Sequence, residues 1–251
     1  MRKRLFALAT RVATNPRLRA GRKYRCPCCG RGSRRFVAGG YAGRPEAACP
    51  WCGSLERHRV MALFLRDWLN DHHPRDILHF APERGIRPIL RRNAHARYVA
   101  ADLDSAPGVV SVDIMAMPFE DASFDLIVCS HVLEHVLDDR AAMAEMRRVL
   151  RPRGTALLQA PVRYGRDTDE DTTVTDPVIR YQRFGQPNHW RFYGEDLSDR
   201  LSSAGFAVQV VNHELGLSPE VRRRHRLDEP WGGFSSASDI YVCEIPGGCQ
   251  G

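Results

Sequence analysis

The sequence predicts an α/β protein built on a mostly parallel sheet, with a small cysteine-rich module in front of it. Three observations carry this reading. Residues 124–160 follow a strand, helix, strand pattern; two Cys-x-x-Cys pairs lie within the first 60 residues; and the charge is divided sharply between front and body.

The central stretch justifies the sheet. Phe124 to Cys129 is a short apolar run, as a strand covered on both faces would be. From Asp139 onward Met143, Met146, Val149 and Leu150 recur at helical spacing. Asp138 or Asp139 can cap the start of that helix, and Pro152 with Gly154 is expected to end it. Thr155 to Ala160 reads as the next strand. A strand, crossover helix and strand of this size make one right-handed βαβ unit.

The cysteines justify the module. Cys26-x-x-Cys29 and Cys49-x-x-Cys52 are separated by 19 residues. Each pair makes a tight turn that aims two sulfurs at one point, and a glycine after it relieves the backbone. Two such turns complete a four-thiolate zinc site, which leaves no open position and is therefore structural. Cys28 is read as a spare thiol and His58 as an alternative ligand. FVAGGYAGRPEAA between the pairs fits a small hairpin, so residues 26–60 are expected to form a zinc ribbon that needs its metal to fold.

Charge separates the parts further. Of the chain's 251 residues, the first 60 carry a net charge of +13 and the rest −6. Residues 1–25 hold nine Lys/Arg and no acid, and form a basic arm. This asymmetry points to RNA or an anionic surface as a partner of residues 1–60, against a plainly solvated arm as the bland alternative. No apolar run reaches 18 residues, and Arg11 interrupts the apolar start, so neither a transmembrane helix nor a secretory signal is expected. A cytoplasmic location follows as the expectation, since reducing compartments favour metal over disulfides.

The remaining elements follow in order. Val60, Met61, Phe64, Leu65, Trp68 and Leu69 make one face of a helix joining module to body. Arg57, His58 and Arg59 at its start either line a ligand cleft or solvate the junction. Arg75 to Gly85 reads as a strand and its loop, Arg97 to Asp104 as a second strand, and Val109 to Phe119 as a third strand running into a loop. Residues 163–195 are too long for a plain connector and read as a lid or substrate-binding insertion. His189, Arg191 and Tyr193 alternate there, so an extended segment would aim all three at a substrate. Asp196 to Phe206 is a helix with Gly205 as its left-handed cap. Two last strands, Phe206 to His213 and Asp239 to Ile245, flank a basic, flexible loop.

FDLIVCSHVLEHV followed by EMRRVLRPRGTALLQAPV resembles the middle of a class I S-adenosylmethionine (SAM)-dependent methyltransferase of the type 11-like group. The resemblance extends over roughly residues 75–245. It implies a Rossmann-like seven-stranded sheet over residues 61–251, ending in an antiparallel hairpin, and SAM as cofactor. The loop HFAPERG stands where the family has a glycine-rich turn; only Gly85 survives, His79 replaces an acid, and Ala81, Pro82 and Glu83 replace small residues. The resemblance implies cofactor contacts from Ala81, from Gly85, and from Glu83 to the SAM ammonium. Asp102, with Asp104 in reserve, is placed for the ribose, since a carboxylate accepts from both hydroxyls. Asp113 and Ile114 match the adenine position.

Cys129, Ser130 and His131 end a central strand, the edge where ligands of open α/β sheets bind. His131 and Glu134 share a face if the next turn is helical, and His135 follows. His189 and His131 are the candidate bases. The implied activity is methyl transfer to an O, N or C atom of a small-molecule or glycan-type acceptor. The alternatives are an RNA methyltransferase that binds through its basic ribbon, and a non-catalytic adaptor.

Overall fold

The computed structural model describes residues 21–40, 43–227 and 239–246. Most of the expected basic arm, part of the last loop and the final residues with Cys249 lie outside them. The described chain forms two compact units: residues 21–72, 83–92 and 212–227, and residues 73–82, 93–211 and 239–246.

The first unit opens with two small antiparallel ladders, β1 (Tyr24–Arg25) with β2 (Gly32–Ser33) and β3 (Val37–Gly39) with β4 (Arg44–Ala48). The second ladder is the hairpin expected between the cysteine pairs. Its core is slight: Val37, Ala47, Ala48 and Leu55. Helix α1 (Glu56–Asp71) buries Val60, Met61, Phe64, Leu65 and Leu69, five of the six expected apolar positions. The sixth, Trp68, stacks on His72 with ring centroids 3.9 Å apart.

Arg59 neither lines a cleft nor solvates a junction. It is fully buried and donates to the carbonyls of Ala47, Ser54 and Arg226, which is why a cation is tolerated there. Helix α2 (Arg87–Asn93) follows. The loop expected before the last strand instead contains α6 (Pro219–His225), started by Ser218, whose hydroxyl accepts from the Val221 N–H. Proline at the first helical turn and a serine cap are the start signals that its run of arginines obscures.

The second unit carries the seven-stranded sheet. Its strands are β5 (Asp76–Phe80), β6 (Arg97–Asp102), β7 (Val110–Ser111), β8 (Phe124–Ser130), β9 (Leu150–Gln159), β12 (Ala207–Asn212) and β13 (Asp239–Glu244). The order is β12-β13-β9-β8-β5-β6-β7. Five strands run parallel, and β13 is antiparallel to β9. Strand β5 lies inside the sheet, with β6 on one side and β8 on the other, so the order reverses at its carboxyl end.

Helix α3 (Asp139–Val149) crosses from β8 to β9, capped by Asp138, whose carboxylate accepts from the Ala141 N–H. It ends earlier than Pro152, because the strand begins at Leu150 rather than Thr155. Met143, Met146 and Val149 sink into the core beside Leu78, Ile127 and Leu158. Helix α5 (Leu197–Ser203) is followed by Gly205, whose φ of +91° is the left-handed cap foreseen.

Candidate functional site

In the first unit Cys26, Cys29, Cys49 and Cys52 bring their sulfurs within 4.8 Å of one another. Each knuckle is built the same way. The Gly30 N–H donates to Cys26 O, and the Gly53 N–H to Cys49 O, both closing turns that end on a left-handed glycine (φ +71° and +73°). The Cys26–Cys52 and Cys29–Cys49 sulfur separations are 3.6 and 3.9 Å. Four sulfurs tetrahedral about zinc at 2.3 Å stand about 3.8 Å apart, so the donor set fits that ion. Left as free thiols the four conflict. Hydrogen bonding to Cys26 pushes the Cys29 and Cys49 thiols up, while contacts from Cys28 and the others push Cys26 down.

Cys28 touches this cluster without being one of its four converging sulfurs, and His58 is not among them either. The Cys28 thiol donates to His58 O, and His58 Nδ1 accepts from the Leu55 N–H at the start of α1. Glu83 and Gly85, expected at the cofactor, also belong to this unit. Glu83 lies 4.0 Å from His58 Nε2. Gly85 is buried, and a Cβ there would stand 2.7 Å from the Cys28 Cβ, so Cys28 is what demands a glycine.

The second unit brings the other expected residues to the carboxyl edge of its sheet. Ala81 follows β5 with φ +45°, a left-handed conformation in which glycine is at ease and alanine is strained. Its N–H donates to Ala101 O of β6. Asp102 ends β6, half-buried, with one carboxylate oxygen 3.4 Å from the Asp104 N–H; Asp104 itself is exposed. Asp113, also exposed, folds its carboxylate back onto the Met115 N–H. Ile114 and Cys129 are buried in the hydrophobic core. The Ser130 hydroxyl donates to Gln159 Oε1.

His131 follows β8 with φ +55°, the second strained non-glycine at this edge. Its Nδ1 lies 3.2 Å from Glu134 Oε1, and the intervening residues form the expected helical turn, a 3-10 turn at Leu133–His135. Burial alone would raise the Glu134 carboxyl. The hydrogen bond from His131 and the neighbouring imidazoles outweigh it and hold the group at about 2.

Residues 163–195 are folded rather than extended. They contain β10 (Asp169–Glu170), α4 (Pro177–Phe184) and β11 (Arg191–Phe192), with β10 antiparallel to β11. His189, Arg191 and Tyr193 do not jointly face outward, which corrects the expectation that all three aim at a substrate. Arg191 is buried and donates to the carbonyls of Leu133, Val136 and Leu137 and to Glu170. Tyr193 donates to Asp139. Arg200 reaches both Asp139 and Glu170. This network binds the insertion to the start of α3. Its long-range partners, Glu170 and Arg200, have no local sequence signal, since they lie 30 residues apart and pair only in the fold. His189 is also buried; its Nδ1 donates to Phe184 O, its ring sits edge-on to His135 at 4.6 Å, and burial pushes the imidazole down to about 4.

Residues 85–158 match the methyltransferase domain family. A probable S-adenosylmethionine-dependent methyltransferase of Mycolicibacterium smegmatis is 31% identical over 137 residues, 53% of this chain and 46% of that protein. A malonyl-(acyl-carrier protein) O-methyltransferase of Halorhodospira halophila is 28% identical over 163 residues, 57% of this chain and 52% of its own. The chain thus spans about half the length of the curated relatives it matches. A solved SAM-dependent methyltransferase from Archaeoglobus fulgidus has a TM-score of 0.48 at 17% identity, covering 76% of this chain and 95% of the other. The likeness is thus to SAM-dependent methyltransferases, over the middle of the chain.

Proposed function

We propose that this chain is a SAM-dependent methyltransferase that modifies an O, N or C atom of a small-molecule or glycan-type acceptor. The observation that carries it is the carboxyl edge at the strand reversal, where Ala81, Asp102 and His131 end adjacent strands. Ligands of open α/β sheets bind at such an edge. The left-handed Ala81 keeps the position glycine-like in backbone and small in side chain, so a cofactor can pass close over it. Asp102 has a carboxylate oxygen with no partner among the described residues, which fits a ribose diol. When bound, SAM supplies a methyl group already activated on a sulfonium.

The chain's own contribution is orientation and proton handling. Glu134 fixes the His131 ring through Nδ1, which makes His131 the better candidate to take the acceptor's proton. His189, buried and with Nδ1 donating to a carbonyl, is the poorer one. The four-cysteine cluster is proposed to hold structural zinc, on the sulfur separations given above.

A small acceptor is favoured over RNA by the fate of the front-end arginines. Arg35 pairs with Glu46, Arg44 pairs with Glu56, and Arg59 is buried, so part of that charge is spent internally.

Titration calorimetry of the full chain with SAM tests the reading. Binding is expected, and Asp102→Ala should weaken it about 10- to 100-fold, the worth of charged hydrogen bonds. Absence of SAM binding to the zinc-loaded wild type would overturn it. Salt-dependent binding of RNA oligomers by the same protein would move the acceptor to RNA.

A further inference from the structure

Glu134, His135 and His189 come from two separate segments, the 3-10 turn after β8 and the approach to β11. Each offers a ligand atom, and these lie within 4.8 Å of one another. Both imidazoles are oriented in the same sense. His135 Nδ1 lies 3.2 Å from Asn188 O and His189 Nδ1 lies 2.9 Å from Phe184 O. A carbonyl only accepts, so each Nδ1 carries the proton and each Nε2 presents a lone pair. That is the tautomer a metal requires, fixed by the backbone contact that metal-bound histidines commonly make.

A second observation is independent of this spacing. Glu134 and His189 are 1% and 3% exposed, yet Glu134 Oε2 and His189 Nε2 have no hydrogen-bond partner among the described residues. Two buried acceptors left unmet are costly, and imidazole lone pairs and a carboxylate cannot satisfy one another. A cation satisfies both at once.

We propose that Glu134, His135 and His189 form a second metal site that takes a divalent first-row transition ion, zinc or a neighbour such as manganese, through one carboxylate oxygen and two imidazole Nε2 atoms. Two nitrogens and a hard oxygen suit such ions. Ligands about 2.0–2.2 Å from an ion stand roughly 3–3.5 Å apart, so tip movements of about an ångström assemble the set. Surrounding contacts already hold the two segments together: the Trp190 N–H donates to Glu134 O, and Arg191 donates to Leu133 O. His131, on the other Glu134 oxygen, is the outer-sphere partner that orients the carboxylate. Three protein ligands leave positions open, and half-buried His135 is the exposed member of the set. On the methyltransferase reading, an oxygen of the acceptor would occupy an open position.

The test uses the full chain with its cysteine cluster zinc-loaded, titrated with Mn²⁺ and followed by the electron paramagnetic resonance of free Mn²⁺. Manganese is chosen because thiolates favour zinc over it. One Mn²⁺ per chain is expected, and excess zinc should bring total zinc to two equivalents. Glu134→Gln and His135→Ala should each weaken Mn²⁺ binding by at least the roughly 10- to 100-fold that losing an outer-sphere partner costs. His189→Ala opens a cavity, so half-buried His135→Ala, checked by circular dichroism, keeps the test sound. No Mn²⁺ bound and a single zinc equivalent would overturn the proposal, as would undiminished binding in both variants. The titration needs no SAM, so failure here and failure of SAM binding are seen separately.

Discussion

Ala81 and His131 are non-glycine residues held at positive φ at the ends of two adjacent central strands. Such conformations cost about 1–3 kcal/mol each and persist where the surroundings over-determine them, which clusters them at functional sites. The sequence marks Ala81 only as a departure from a glycine pattern; the backbone holds it in a left-handed conformation of the kind glycine favours. Asp239 is a different single-residue case. It opens β13, fully buried, and accepts a hydrogen bond from the Tyr164 hydroxyl. Burial raises its carboxyl to about 6 from an ordinary 3.8. Below the ordinary value both folded and unfolded states are protonated. As pH rises through about 4 to 6 the unfolded chain ionises first, so the stability that Asp239 contributes is lost across that window. Asp239→Asn, neutral throughout and still able to accept from Tyr164, should raise Tm at pH 7.5 more than at pH 4. Thermal melts at the two pH values check this, and equal shifts would count against it.

At the scale of elements, the insertion between β9 and α5 is the part least legible in the chain. Its length and position announced a functional segment. Its helix and its two short strands were not visible, because β10 and β11 are two residues each and are stabilised by a buried ion network rather than by apolar periodicity. Arg191→Ala removes the donor shared by three carbonyls and leaves Asp139, 3.6 Å away, short of a partner. Breaking a buried pair this way costs about 3–5 kcal/mol. The expected result is a drop in stability with early loss of hydrogen-exchange protection in residues 163–195. Protection unchanged in that segment would show that the network does not hold it. By contrast, α3 was readable from Met143, Met146 and Val149, because their spacing is local.

At the scale of the whole molecule, the sheet and the cysteine module were both legible, for opposite reasons. The sheet announces itself through buried runs such as Phe124 to Cys129. The module announces itself through ligand spacing, and apart from its cysteines it buries few apolar side chains among those described, chiefly Phe36, Val37, Ala47, Ala48 and Leu55. On the proposal that the four cysteines hold zinc, a module so poor in apolar contacts would fold on that metal. Stripping zinc with a strong chelator should therefore abolish exchange protection at the Gly30 and Gly53 amides, which close the two knuckles, and restoring zinc should recover it. The β5 and β8 amides should keep theirs. Knuckle protection that survives complete zinc removal would refute the metal's structural role. What the sequence could not show was how far the cysteine unit extends: it takes in residues 83–92 and 212–227, distant stretches with no cysteine to mark them.

The contact between Gly85 and Cys28 limits what either position tolerates. With 2.7 Å between a would-be Cβ at 85 and the Cys28 Cβ, a side chain at one position is tolerated only if the other gives up its own. Cys28 sits inside the Cys26–Cys29 knuckle, where backbone retreat would disturb two of the four converging sulfurs. Gly85→Ala is therefore expected to lower the melting temperature of the chain, and Cys28→Gly added to it to recover part of that loss.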